Sequence, residues 1–134
     1  MSFGFYSDAG LTVPITTLRH YSTQAGDRLV YFGSPNAAKK LVDATSPEVA
    51  NLNVSIIDDD TGAGLPASAY KLALTSGGLS TAVGGAALSL GTVVMGGVGG
   101  AKPVYIRIST TAGVTGEDYT DIGLEVQNTA EADV

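Results

Sequence analysis

Hydrophobic and polar residues alternate most regularly near the carboxyl end of the chain. From Pro103 to Thr110, Val104, Ile106 and Ile108 fall on one side, and Tyr105, Arg107 and Ser109 fall on the other. A period of two is that of a half-buried β-strand. Ile122, Leu124 and Val126 repeat it against Gly123, Glu125 and Gln127, and the Gly/Thr/acid-rich stretch Thr111–Thr120 between them predicts a terminal hairpin. From Val49 to Ile57 the apolar set is Leu52, Val54 and Ile56; from Tyr70 to Thr75 it is Tyr70, Leu72 and Leu74. These two segments read as consecutive antiparallel strands, joined across a connection containing Pro66. In Arg28–Gly33, Leu29 and Tyr31 face one way and Val30 and Phe32 the other, so both faces are covered and the strand is central.

The remaining segments give weaker signals. Phe3–Tyr6 predicts a short edge strand before the turn composition Ser7-Asp8-Ala9-Gly10. Leu11–Leu18 is peripheral, because Pro14 lacks an N–H to give to a ladder. Asn36–Ala44 suggests one helical turn or an irregular linker, and Ala87–Val94 a strand with Gly91 as a candidate bulge. Glycine permits the Gly96–Gly100 segment to be either mobile or tightly folded back. Ala130–Val134 reads as a frayed tail.

About seven short strands with frequent Gly/Pro punctuation and no βαβ spacing predict an all-β domain over residues 1–134. The expected form is a two-sheet antiparallel sandwich, immunoglobulin-like, with a jelly roll or small barrel as the alternative. Its core would take Leu52, Val54, Ile56, Leu72, Leu74, Val104, Ile106, Ile108, Leu124 and Val126. A chain of 13.5 kDa buries about two-thirds of its extended surface, enough for one core without metal or disulfide staples.

Composition adds a constraint on the surface. Charged residues are 15% of the chain, against about 25% in typical soluble domains. Low charge with 18 glycines suits a protein whose surface is covered by neighbours, although a secreted Ser/Thr-rich module would share it. The net charge of -6 and the scattered positions of Arg19, Arg28, Lys39, Lys40, Lys71, Lys102 and Arg107 argue against nucleic acid as a partner. There is no cysteine, which removes disulfides and thiolate chemistry. The amino end carries no secretory signal pattern, and Ala86–Ala101 is too short and glycine-rich to predict a membrane span.

No catalytic constellation emerges. His20 is the sole histidine, with no aligned nucleophile and orienting acid, and reads as structural or solvent-exposed. Asp58-Asp59-Asp60 followed by Gly62 is the best metal candidate, yet a calcium loop opening at Asp58 would close at position 69, which is Ala69. The run reads as a polar loop, with no metal or cofactor expected. Glu117 with Asp118, and Asp121 with Glu125, lack the features of a sugar-cleaving site. Gly96, Gly97, Gly99 and Gly100 lack the lysine and strand-to-helix setting of a phosphate loop. The six tyrosines suit an interface instead, since Tyr buries a ring while satisfying its hydroxyl. Tyr105 and Arg107, opposite Val104 and Ile106, are the preferred interface pair.

Three segments carry a family resemblance: Phe5-Tyr6-Ser7-Asp8-Ala9-Gly10-Leu11-Thr12, Tyr31-Phe32-Gly33-Ser34-Pro35, and Leu88-Ser89-Leu90-Gly91 running on to Pro103-Val104-Tyr105-Ile106-Arg107-Ile108. With them the chain resembles small virion structural proteins of tailed bacteriophages, namely capsid decoration or cement proteins and accessory tail modules. The resemblance implies a non-enzymatic virion protein that binds the major capsid protein or other virion proteins on the outer surface of the head. It also implies a homo-oligomer or multiple copies per particle. A tail or host-contact module is the second reading. A cell-derived adhesion or carbohydrate-binding β module is the alternative from a different class.

Overall fold

Val104 and Ile106, from the most regular alternation in the sequence, lie fully buried at the centre of the protein. The structure, a computed structural model, describes residues 3–15, 20–21, 26–58, 70–108, 118–119 and 122–134. In chain order the strands are β1 (Gly4–Tyr6), β2 (His20–Tyr21), β3 (Gly26–Gly33), β4 (Lys39–Asp43), β5 (Asn53–Asp58) and β6 (Tyr70–Ala73). They continue with β7 (Leu88–Ser89), β8 (Val93–Met95), β9 (Lys102–Ile108), β10 (Asp118–Tyr119), β11 (Ile122–Val126) and β12 (Thr129–Asp133). Short 3₁₀ turns occupy Gly77–Ser80 and Val98–Gly100.

The domain is all-β, and every pairing is antiparallel. A four-stranded sheet runs β1-β3-β9-β6, and two three-stranded sheets run β11-β5-β7 and β12-β4-β8. A two-stranded ribbon pairs β10 with β2. The three larger sheets pack together over one apolar cluster. The four-stranded sheet gives it Val30, Phe32, Tyr70, Leu72, Val104 and Ile106. Leu52, Val54 and Leu90 enter from the β5 side, and Leu41 and Val94 from the pair β4–β8. Ile56, Leu124 and Val126 pack against its edge. Phe5 and Phe32 meet across β1 and β3 with ring centroids 5.0 Å apart at 58°, and Phe3 adds a second ring at 6.4 Å.

Several expectations need correction. Asn36–Ala44 is not a helical turn or an irregular linker: its second half is strand β4, the middle of a sheet. Leu41 and Val42 point to opposite faces and are both buried, so no alternation remains to be read. The helix-forming Ala37-Ala38 sits in a turn, where the Ala38 amide donates to Asn36 Oδ1 at 3.0 Å. The carboxyl end is not frayed, because Thr129–Asp133 forms β12 on β4, and the Val134 amide reaches Ala38 O at 3.0 Å.

Pairing also departs from chain order. β5 and β6 lie in different sheets instead of forming a consecutive pair. β9 and β11 form no hairpin: β9 lies between β3 and β6, and β11 pairs with β5. Leu74 falls beyond the end of β6 and is 40% exposed, so it leaves the core set. The expected strand at Ala87–Val94 is two short ones, β7 and β8, separated at Gly91 with φ +88°. Within Leu11–Leu18, residues 16–18 lie outside the described residues, and the rest keeps one bridge, Tyr6 to Pro14.

Two local devices position the surface discussed next. The Thr12 hydroxyl and the Val13 amide donate to the Asp8 carboxylate at 2.6 and 2.9 Å, with the Thr12 amide at 3.0 Å. This turn holds Leu11 at φ 56° and buries its side chain. The glycine segment is folded back: the Gly96 amide donates to Lys39 O at 2.8 Å and the Gly97 amide to Ser34 O at 2.7 Å.

Candidate interaction surface

The register across the four-stranded sheet decides which side chains share the face away from the core. Residues directly opposite one another project to the same side. Tyr6, Tyr31 and Pro103 form one cross-strand row, and Leu29, Tyr105 and Ala73 form the next. In the following row Arg107 registers with Asp27 on β3 and Lys71 on β6. Val30, Phe32, Val104, Ile106 and Leu72 have the opposite parity and enter the core. Tyr105 and Arg107 are therefore brought to one face, as expected, and both are half-buried.

This outer face is neither polar nor open throughout. Tyr6, Leu29, Tyr31, Pro103, Tyr105, Lys71 and Arg107 are all half-buried, and Ala73 is buried. Leu11 closes one corner: a Cβ on Gly33 would lie 3.3 Å from Leu11 Cδ1 and 3.2 Å from Ala101 Cα. The Gly77–Ser80 turn backs onto the opposite strand, where a Cβ on Gly78 would stand 3.1 Å from Ala73 Cβ. Between these supports lies a pavement of three tyrosines, a leucine and a proline on three neighbouring strands, β1, β3 and β9. Arg107 is engaged within the chain.

A face of this composition can bind a protein surface at low ordering cost. Tyrosine offers large amphipathic area with few rotors, and arginine offers a planar head; both are enriched in interface centres. The parity of Leu29, Tyr31, Tyr105 and Arg107 is present in the sequence. The contributions of Tyr6 and Lys71 follow only from sheet order, and residue spacing carries no signal for that.

Of the other sequence candidates, those among the described residues lie on other strands. His20 lies on β2, registered with Tyr119 of β10. Asp58 ends β5 opposite Ile122, whereas Asp59 and Asp60 lie outside the described residues. Glu117 and Asp121 also lie outside them, Asp118 lies on β10, and Glu125 is exposed on β11. Among the described residues, no three His, Cys, Asp or Glu side chains come together as a metal site. No described helix is long and apolar enough to cross a membrane.

Among the described residues, three carboxylates are held below the ordinary value of 3.8. Asp43 is lowered chiefly by the Ser46 amide, with further help from the Thr45 amide and Asn128. Asp8 is lowered chiefly by the Thr12 hydroxyl, and Asp133 by its bond from Lys39. All three fasten turns or strand ends, a structural use of charge-assisted hydrogen bonds. Comparison of this chain with protein-family models, with curated proteins and with solved structures gives no match.

Proposed function

We propose that this chain is a non-enzymatic assembly module that decorates a bacteriophage head, binding the major capsid protein through the outer face of the four-stranded sheet. The observation that carries the docking face is the joint placement of Tyr6, Leu29, Tyr31, Pro103 and Tyr105 beside Arg107 on one half-buried sheet surface. The step to a phage head rests on the resemblance of the three quoted segments. For the architecture we read a two-layer sandwich of immunoglobulin-like kind, with the four-stranded sheet as one layer and the two three-stranded sheets as the other. A cluster fed by all three sheets supports that layering.

The mechanism is passive attachment. Several copies, each with modest contacts, hold a shell more firmly than one, because each engaged copy or arm raises the effective concentration of the next. The net charge of -6 opposes self-association in solution and repels nucleic acid. The test is co-sedimentation with emptied, undecorated heads of the particle encoded beside this gene, using the parent chain and the Tyr31→Ala and Tyr105→Ala variants. Each substitution is expected to weaken binding by roughly tenfold or more, the range of an interface anchor. Unchanged affinity in both variants would assign attachment to another face.

A further inference from the structure

The sheet β12-β4-β8 has two edges of opposite character. Backbone bonding alternates along β4: the Gly96 amide bonds Lys39 O, whereas the Val134 amide bonds Ala38 O and the Ala44 amide bonds Asn128 O. With Leu41 registered to Val94 and Val42 to Val93, Val94 directs its backbone groups at β4. The N–H and C=O of Val93 and the N–H of Met95 therefore point away from the sheet. The outer edge of β12 carries Glu131 and Asp133, and charge is a device that discourages strand pairing. The β8 edge, Val93–Met95, carries no charged side chain.

Beside that open edge lies a cleft of about 540 Å³, lined by Ala37, Val93, Met95, Val98, Ala101 and Lys102, with the intervening glycines between them. Met95 is 42% exposed and Val98 55%, so apolar surface faces the opening. Its wall is fixed by the Gly96 and Gly97 amide bonds described above. Gly100 crosses the edge at Met95, where a Cβ would lie 2.1 Å from Met95 O, so a strand added to β8 has to end there. Lys102 is half-buried and makes no ion pair among the described residues.

We propose that β8 is a strand-addition site for the carboxyl-terminal segment of a partner protein. That segment runs parallel to β8 and hydrogen-bonds the outward groups of Val93 and Met95. It sets small apolar side chains into the cleft and ends with its terminal carboxylate against Lys102. Main-chain bonds supply the affinity in this mode and the cleft supplies the selectivity. Charge complementarity chooses the end of the partner: Lys102, which makes no ion pair among the described residues of a chain of net charge -6, lines the cleft at whose Gly100 wall the added strand has to stop. The site is separate from the outer face of the four-stranded sheet and does not depend on the role proposed for it.

The probe is a pool of fluorescein-labelled hexapeptides with Val or Ala at alternate positions, Ser or Thr between, and a free carboxyl terminus. Binding to the full chain is read by fluorescence anisotropy, together with the amide NMR shifts of Val93 and Met95. Saturable binding that moves both amides is expected, weakened roughly tenfold by carboxyl-terminal amidation of the pool or by Lys102→Gln. Val93→Pro removes an outward donor that β4 does not use, and it is expected to abolish binding with an unchanged circular dichroism spectrum. If that variant fails to fold, backbone N-methylated peptides make the same test on the ligand, and they are expected not to bind. Any one of three results overturns the proposal: no binding by the free-carboxylate pool, equal binding of the amidated pool, or concentration-dependent dimerisation through β8 that the peptides do not compete.

Discussion

Gly96 and Asn36 touch backbone to backbone: a Cβ on Gly96 would stand 2.1 Å from the Asn36 carbonyl oxygen and 2.4 Å from that of Lys39. Neither neighbour is a flexible side-chain tip, so an added methyl has to displace main chain. Gly96→Ala is expected to cost about 1–3 kcal/mol, the range for overpacking. Gly99→Ala, with nothing within 4 Å of the added carbon, is expected to stay within about 0.5 kcal/mol. Urea unfolding of the two variants checks the contrast, and equal losses would contradict the folded-back geometry.

The core makes a second contrast. Ile106 is fully buried, so Ile106→Ala is expected to cost about 2–5 kcal/mol. Leu74 continues the apolar alternation of its segment but is exposed, and Leu74→Ala is expected to change stability by less than about 0.5 kcal/mol. Chemical denaturation midpoints report both; a Leu74 loss matching that of Ile106 would return this residue to the core.

These two residues show where the sequence is legible. Val104, Ile106, Val54 and Leu124 belong to strands that alternate between core and a more polar face, and the period of two reveals such strands directly. Lys39–Asp43 hides its strand, since Leu41 and Val42 are both buried and two lysines precede them. Thr129–Asp133 hides as well, because small and acidic residues give an edge strand little apolar signal. Sheet order is written in contacts between residues far apart in sequence, such as Val30 with Val104, so chain order suggested hairpins that the fold does not use. The candidate surface divides the same way. The shared side of Tyr105 and Arg107 is local parity, whereas the rows that join them to Tyr6, Leu29 and Lys71 are tertiary.

Acid should loosen the Asp43 corner. Its Oδ1 accepts from the Ser46 amide at 2.7 Å and the Thr45 amide at 2.9 Å, and its Oδ2 accepts from Asn128 Nδ2 at 3.0 Å. A carboxylate lowered on folding adds stability that is present above its ordinary value of 3.8 and is lost as pH falls through the lower folded value. Thermal unfolding of the parent chain is therefore expected to drop below about pH 4, with Asp8 and Asp133 contributing in the same direction. Asp43→Asn, which removes one titrating group, is expected to be less stable at neutral pH and to show a shallower drop. A slope identical to that of the parent would show that Asp43 carries none of the acid dependence.

Strand β12 makes an alternating prediction for amide exchange. Ala130 and Ala132 register with Val42 and Lys40 in the hydrogen-bonded phase set by the Val134–Ala38 and Ala44–Asn128 bonds. Their amides are expected to exchange slowly, and those of Thr129 and Asp133, which face outward, quickly. Uniformly fast exchange over Thr129–Asp133 would restore the frayed tail.

The central claim is that this chain attaches to a shell through the face bearing Tyr31 and Tyr105. The most direct measurement is cryo-electron microscopy of emptied, undecorated heads saturated with purified protein. The account predicts stoichiometric, symmetry-distributed density on the outside of the shell, with the four-stranded sheet turned toward the major capsid protein and Tyr105 within the contact. Density confined to the tail, or no binding to any virion component, would contradict it.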